Sequence, residues 1–277
     1  MTDAQPTSHT IDVGGLNLHY LDWGNEGALP LILIHGLTGA AGDWRNIAAY
    51  YRETYHAIAL DQRGHGESSH AADSAYRTDD FVGDLEGFID ALGLDRVMLL
   101  GHSMGGHNTI AFTARNPERV RCALVNDIPP AFSFSNTPEE RAKGYPDGQQ
   151  PVFASVEAWV ETKREGSRFT SDEHHLLTAE SRLKQVDGGY QQKHDPNVAI
   201  HWDAADLWDE ARTIERPIFF IRAGKSEILD AITVQKMDME IKAARSIGLE
   251  QSTHSTYLDM EEEFLSASSQ FFAAHND

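Results

Sequence analysis

Five short stretches of the chain, residues 29–35, 56–60, 96–100, 121–125 and 217–221, are almost continuously apolar. Runs of that length without alternation fit strands buried on both faces, as in a parallel sheet covered by helices on either side. Between them, residues 43–51, 79–92 and 104–116 place apolar side chains every three or four positions, which predicts amphipathic helices. Ahead of them, residues 10–13 and 16–22 alternate and are separated by Gly14 and Gly15, which predicts a hairpin. Strand and helix in regular succession imply an α/β fold, a mostly parallel sheet with helices on both faces. In such sheets ligands collect at the carboxyl ends of the strands.

The pattern changes near Pro130. Through to Asp206 the strand-like runs stop, and polar helix-forming segments at 156–163 and 171–186 take over. Core-like runs resume at Pro217. The expected organisation is a core from residues 1–132 and 206–277, with residues 133–205 inserted as a mostly helical cap over the strand ends. No internal repeat or low-complexity tract suggests another architecture.

Length and composition, 277 residues with 40% apolar and 24% charged, suit one globular domain with an insertion. Charge narrows the partners: 43 acidic against 23 basic residues give a formal −20. That balance repels phosphate backbones and anionic lipid, so a small-molecule substrate is expected, and neither nucleic acid nor membrane. Cys122 is the only cysteine, which excludes an intrachain disulfide and a cysteine-based metal site. The first ten residues are polar, and no stretch nears the ~20 apolar residues that span a bilayer, so a cytoplasmic location is expected. The pattern sets no oligomeric state.

Candidate chemistry lies at the ends of the apolar runs. Gly101-His102-Ser103-Met104-Gly105 follows one run and precedes a helical segment, the context of a nucleophile elbow. Small flanking residues let the serine take a strained backbone position with its hydroxyl raised above the sheet. A serine hydroxyl is a poor nucleophile at neutral pH, so it needs a base and an oxyanion hole. The turn His35-Gly36-Leu37-Thr38-Gly39 can aim the Leu37 N–H at the site, with the Met104 N–H as second donor. His35 itself is read as a satisfied turn residue.

These elements resemble the α/β-hydrolase superfamily over essentially the whole chain. The resemblance rests on His35-Gly36-Leu37, on Asp61-Gln62-Arg63-Gly64-His65-Gly66-Glu67-Ser68, on the elbow at Ser103, and on the late His254 ahead of residues 261–264. It implies a structural turn for residues 61–68 and the general base for His254, where Thr253 replaces the family's usual glycine. Two positions are open for the acid that orients the base: Asp127 in Val125-Asn126-Asp127-Ile128-Pro129-Pro130, and Glu227 in Gly224-Lys225-Ser226-Glu227. Either carboxylate can hold the productive tautomer. Most members use the later position, but D-I-x-P combined with G-x-S-E resembles a subgroup that uses the earlier one, so Asp127 is favoured. Ala179-Glu180-Ser181 and Val186-Asp187-Gly188-Gly189 are further similar to the α-(N-acetylaminomethylene)succinate hydrolases, which cleave an amide-like bond in a small dicarboxylate. That likeness would make Arg164, Arg168 and Arg182 cations for such carboxylates.

The resulting expectation is a carboxylesterase-like serine hydrolase. It cleaves a carboxylic ester or related acyl bond of a small molecule through an acyl-enzyme on Ser103 and needs no cofactor. Ser103 stands where haloalkane dehalogenases and epoxide hydrolases need Asp, which excludes both. Amide, enol-lactone and carbon–carbon bond hydrolysis of a small carboxylic acid are compatible with the same residues. From another class, so is a small-molecule receptor on this fold with slow turnover. His174, His175, His194 and His201 lack a recognised zinc spacing, so no metal is expected.

Overall fold

The structure is a computed structural model that describes residues 5–164 and 166–276. Its strands are β1 (Thr7–Val13), β2 (Leu16–Asp22), β3 (Pro30–Ile34), β4 (His56–Leu60), β5 (Val97–His102), β6 (Val120–Asn126), β7 (Leu183–Val186), β8 (Gly189–Gln192), β9 (Ile218–Ala223) and β10 (Ala244–Leu249). Eight of them form one sheet in the order β1-β2-β4-β3-β5-β6-β9-β10. The β1–β2 hairpin and the β2–β4 pair are antiparallel. From β4 to β10 every pairing is parallel.

Because side chains alternate across a strand, each apolar run feeds two cores. Ile32 and Ile34 of β3, Val97 and Leu99 of β5, and Ala123 and Val125 of β6 join Phe88, Ile110 and Phe112 on one face. Leu31 and Leu33, Met98 and Leu100, and Cys122 and Leu124 point the other way, towards Trp44, Tyr51, Phe264 and Phe272. The first face is covered by helices Thr78–Ala91 and Met104–Arg115, the second by Arg45–Tyr51 and Glu261–Ala273. Each fully buried Leu or Phe contributes about 1.5–3 kcal/mol relative to exposure, so the layers hold the strand ends rigidly. Register then sets Ile34 beside Gly101 and His102 beside Asn126. Three strands therefore end at one level.

Between β6 and β9 the chain forms helices Pro138–Ala142, Val156–Arg164, Asp172–Arg182 and Pro196–His201. One expectation is corrected here. The helix read across 171–186 stops at Arg182, and Leu183–Val186 pairs antiparallel with Gly189–Gln192. Asp187 and Gly188 supply the turn, with Gly188 and Gly189 at φ 85° and 150°, which a helix does not tolerate. Among the described residues no helix is long and apolar enough to cross a membrane.

Candidate active site

Ser103 links β5 to helix Met104–Arg115 with φ 51° and ψ −120°, a backbone position that L-residues rarely adopt. Two bonds fix it: Ser103 N donates to Asn126 O at 3.0 Å, and His107 N donates to Ser103 O at 2.8 Å. Close packing demands the glycine that follows. A Cβ on Gly105 would fall 2.4 Å from Ile34 O and 2.5 Å from His35 O, so only glycine lets the helix start this near β3. Ser103 Oγ makes no hydrogen bond to a described residue.

The turn at residues 35–39, expected to supply an oxyanion donor, approaches from β3. A Cβ on Gly36 would lie 3.1 Å from Ser103 Cβ and 2.9 Å from the His102 ring, so the turn touches the elbow. Neither Leu37 N nor Met104 N donates to a described acceptor, and Met104, at the helix start, has no intrahelical acceptor to use. The turn is pinned on both sides. Thr38 N donates to His65 Nε2 at 3.2 Å, and Ala40 N to Asp43 Oδ2 at 3.0 Å. His35 is saturated, with Nδ1 on Gly36 O and Nε2 accepting from Gln62 N, and burial lowers its pKa so that it stays neutral. Residues 61–68 are a structural turn: Asp61, wholly enclosed, takes His19 Nδ1 at 2.7 Å and Ala41 N at 2.6 Å. Burial alone would raise the Asp61 pKa, but the His19 bond and its neighbours outweigh it and hold the carboxyl below its ordinary value. Arg63 in the same turn binds Asp84 with two bonds, at 2.5 and 2.6 Å.

His254 follows β10 and faces the loop after β6. Its Nδ1 lies 2.7 Å from Asp127 Oδ2, while Asp127 Oδ1 accepts Ala223 N at 2.9 Å. Asp127 has no exposed surface and sits at φ 52°, a left-handed position that Asp tolerates better than most residues. Glu227 is not brought into this group. It is exposed and lines a separate cavity of about 350 Å³ with Pro129, Phe132, Trp208 and Lys236. The His254 ring lies 4.5 Å from that of His102, the residue before Ser103. His102 is held in turn: Thr256 Oγ1 donates to Asn126 Oδ1 at 2.6 Å, and Asn126 Nδ2 donates to His102 Nδ1 at 2.9 Å. Burial, then His254 and Arg182, push His102 well below its ordinary pKa, so it stays uncharged beside the elbow.

Of the three arginines, only Arg182 reaches this neighbourhood. Its Nε and Nη2 bind both oxygens of Asp43, at 2.8 and 2.6 Å. Arg164 pairs with Glu161 and Asp172, and Arg168 stacks on Phe169. Both are exposed. Among the histidines, His174 bonds Asn46 and lies 3.3 Å from Glu261, His175 is buried, His194 meets Tyr145 OH at 3.1 Å, and His201 is exposed. The described residues contain no group of three or more His, Cys, Asp or Glu able to hold a metal ion.

A family model described as the alpha/beta hydrolase fold matches residues 30–260. A 2-(acetamidomethylene)succinate hydrolase from Mesorhizobium japonicum is 27% identical over 83% of this chain and 82% of its own length. A 2-hydroxy-6-oxononadienedioate/2-hydroxy-6-oxononatrienedioate hydrolase from Paraburkholderia phymatum is 38% identical, but over only 41% of this chain and 42% of its own. Among solved structures, E-2-(acetamidomethylene)succinate hydrolase superposes with a TM-score of 0.86 at 22% identity, covering 97% of this chain and 99% of the other.

Proposed function

We propose that this chain, which belongs to the α/β-hydrolase fold family, cleaves a carboxylic ester or related acyl bond of a small molecule through an acyl-enzyme on Ser103. The observation that carries the reading is the 2.7 Å contact between His254 Nδ1 and the fully buried Asp127. A carboxylate there keeps the proton on Nδ1, leaving Nε2 free to accept one. In the first half-reaction Ser103 Oγ attacks the acyl carbon, its proton passes to His254 Nε2, and the carbonyl oxygen gains the negative charge. The Leu37 and Met104 N–H groups stabilise that charge, a contribution of about 3–4 kcal/mol per donor in related sites. The leaving group departs with the proton from His254. Water then repeats the sequence: His254 takes its proton, hydroxide adds to the acyl carbon, and Ser103 leaves reprotonated with release of the acid.

In this reading residues 133–205 are a cap that selects the substrate, since insertions above a rigid sheet usually set specificity. Amide cleavage is the second reading, favoured by likeness to 2-(acetamidomethylene)succinate hydrolase along most of both chains. A fluorophosphonate probe, followed by turnover of matched ester and amide substrates, tests both. Labelling that persists in Ser103→Ala, or an unlabelled wild-type protein, would remove Ser103 from the mechanism.

A further inference from the structure

The residue before His254 is held by a carboxylate. Thr253 is buried and stands where the family usually has glycine. Its N–H donates to Asp259 Oδ2 at 2.6 Å, and its Oγ1 donates to the same oxygen at 2.5 Å. A glycine would keep the first bond and forgo the second. Asp259 ends the short helix Thr256–Asp259, and its own N–H donates to Ser255 O at 3.1 Å. The chain thus passes His254, turns once, and reaches back to grip the residue ahead of it.

The second oxygen of the same carboxylate is taken by a segment distant in sequence. Thr170 Oγ1 donates to Asp259 Oδ1 at 2.5 Å. Thr170 is buried too, and it lies just ahead of helix Asp172–Arg182, whose N-cap is Ser171. The start of that helix makes further contacts with the chain that follows His254. His174 Nδ1 lies 3.1 Å from Leu258 O, and His174 Nε2 lies 3.3 Å from Glu261. Leu258, Asp259 and Glu261 are therefore all tied to one helix start in the stretch between β6 and β9. Hydrogen bonds to a carboxylate are of the strong kind, so bonds on both oxygens fix Asp259 in place.

We propose that Asp259 is a positioning residue for His254: its grip on Thr253 holds the imidazole on Asp127 in the orientation that serves Ser103, and its bond to Thr170 makes that orientation depend on the docked helix start. The proposal rests on His254 being the base. The sheet anchors the chain only as far as Ser252, whose Oγ donates to Leu249 O at 2.8 Å and whose O accepts Lys225 N at 2.9 Å. Thr253 comes next, and among the described residues Asp259 is the one acceptor for its N–H and its hydroxyl. Asp259 touches no reacting atom. Its effect runs through the placement of His254, and a misplacement of about 1 Å can cost about a hundredfold in rate.

The test measures kcat and KM for 4-nitrophenyl acetate, with the thermal midpoint beside them. Asp259→Ala leaves both Thr253 donors without an acceptor and should lower kcat by about tenfold to a hundredfold, with KM within about twofold of wild type. Asp259→Asn keeps a carbonyl oxygen for Thr253 and should restore most of the rate. Thr170→Val should cost about twofold to tenfold, and nothing further in the Asp259→Ala background, because both changes act through one carboxylate. A second arm is independent of turnover. The low-field NMR resonance of the His254 Nδ1 proton shared with Asp127, assigned by its absence from His254→Ala, should move or broaden in Asp259→Ala and return in Asp259→Asn. A wild-type kcat in Asp259→Ala, a loss confined to KM or to the melting temperature, or an unmoved resonance overturns the proposal. If Asp259→Ala does not fold, Thr253→Val, which removes only the hydroxyl bond, must lower kcat by about threefold or more, or the proposal falls. If the wild type turns over no ester and Ser103 resists fluorophosphonate, the hydrolase reading fails and the resonance alone decides whether Asp259 positions His254.

Discussion

Replacing Asp127 by Asn tests the proposed mechanism at its most specific point, because the structure fixes how the amide must sit. Asp127 Oδ1 accepts Ala223 N at 2.9 Å, so that position must remain an oxygen. The amide nitrogen then faces His254 Nδ1, and two N–H groups cannot share that contact. Rotating the amide the other way would set its NH2 against Ala223 N–H in a fully buried site, at a cost of about 1–3 kcal/mol. The cheaper solution moves the imidazole proton to Nε2, the nitrogen that must accept the Ser103 proton. By the logic of Ser-His-Asp sites the loss in kcat is on the order of 10⁴, about 5 kcal/mol of barrier. Asn tolerates the φ of 52° at this position, so the melting temperature should change little and the loss reads as chemistry. The assay is kcat for 4-nitrophenyl acetate, beside the thermal midpoint. Glu227→Gln, altering an exposed side chain, should cost less than about tenfold. A loss below tenfold for Asp127→Asn, or a larger one for Glu227→Gln, would refute the assignment.

Ser103→Ala and His254→Ala should each reduce turnover by about 10⁶ without unfolding the protein; comparable losses from changing His65 instead would displace His254 as base. Gly105→Ala must push helix Met104–Arg115 away from the backbone oxygens of Ile34 and His35. It should destabilise by at least about 2 kcal/mol, lowering Tm by about 3 °C or more, and a wild-type melt would contradict the close approach. The Glu261 carboxylate holds His174 above its ordinary pKa, against the effect of burial. A raised pKa adds stability in full below the unfolded value of about 6.5, and that stability fades as pH rises through the folded value. Denaturant titrations of wild type and His174→Gln should therefore differ more at pH 6 than at pH 9, and a gap that widened with pH would count against the pair.

What the sequence made legible was whatever local chemistry dictates. The runs that became β3 to β6 and β9 are apolar because both faces are covered, and the glycines around Ser103 mark a turn that tolerates no side chain. β10 was harder to read. It lies at the sheet edge, is only partly buried, and carries Arg245 and Gly248 within an otherwise short run. The β7–β8 hairpin hid behind a helical period that continues for a turn past Arg182, although Asp187 and Gly188 signalled its turn. The pairing of His254 with Asp127 and not Glu227 is tertiary: both loops follow core strands, and only the packed sheet decides which carboxylate arrives.

The ion pair between Arg182 and Asp43 bears on how such proteins diversify. Asp43 follows the turn at residues 35–39 and steadies it through Ala40 N, yet its counter-charge arrives from Arg182, at the end of helix Asp172–Arg182 between β6 and β9. With only 1% of its side chain exposed, Asp43 would be stranded as a buried anion by any transplanted insertion lacking an arginine at that point. The stretch between β6 and β9 is therefore not freely exchangeable. A chimaera that swaps residues 133–205 must carry an equivalent of Arg182 or lose Asp43 in the same step, and selection on either segment acts on both.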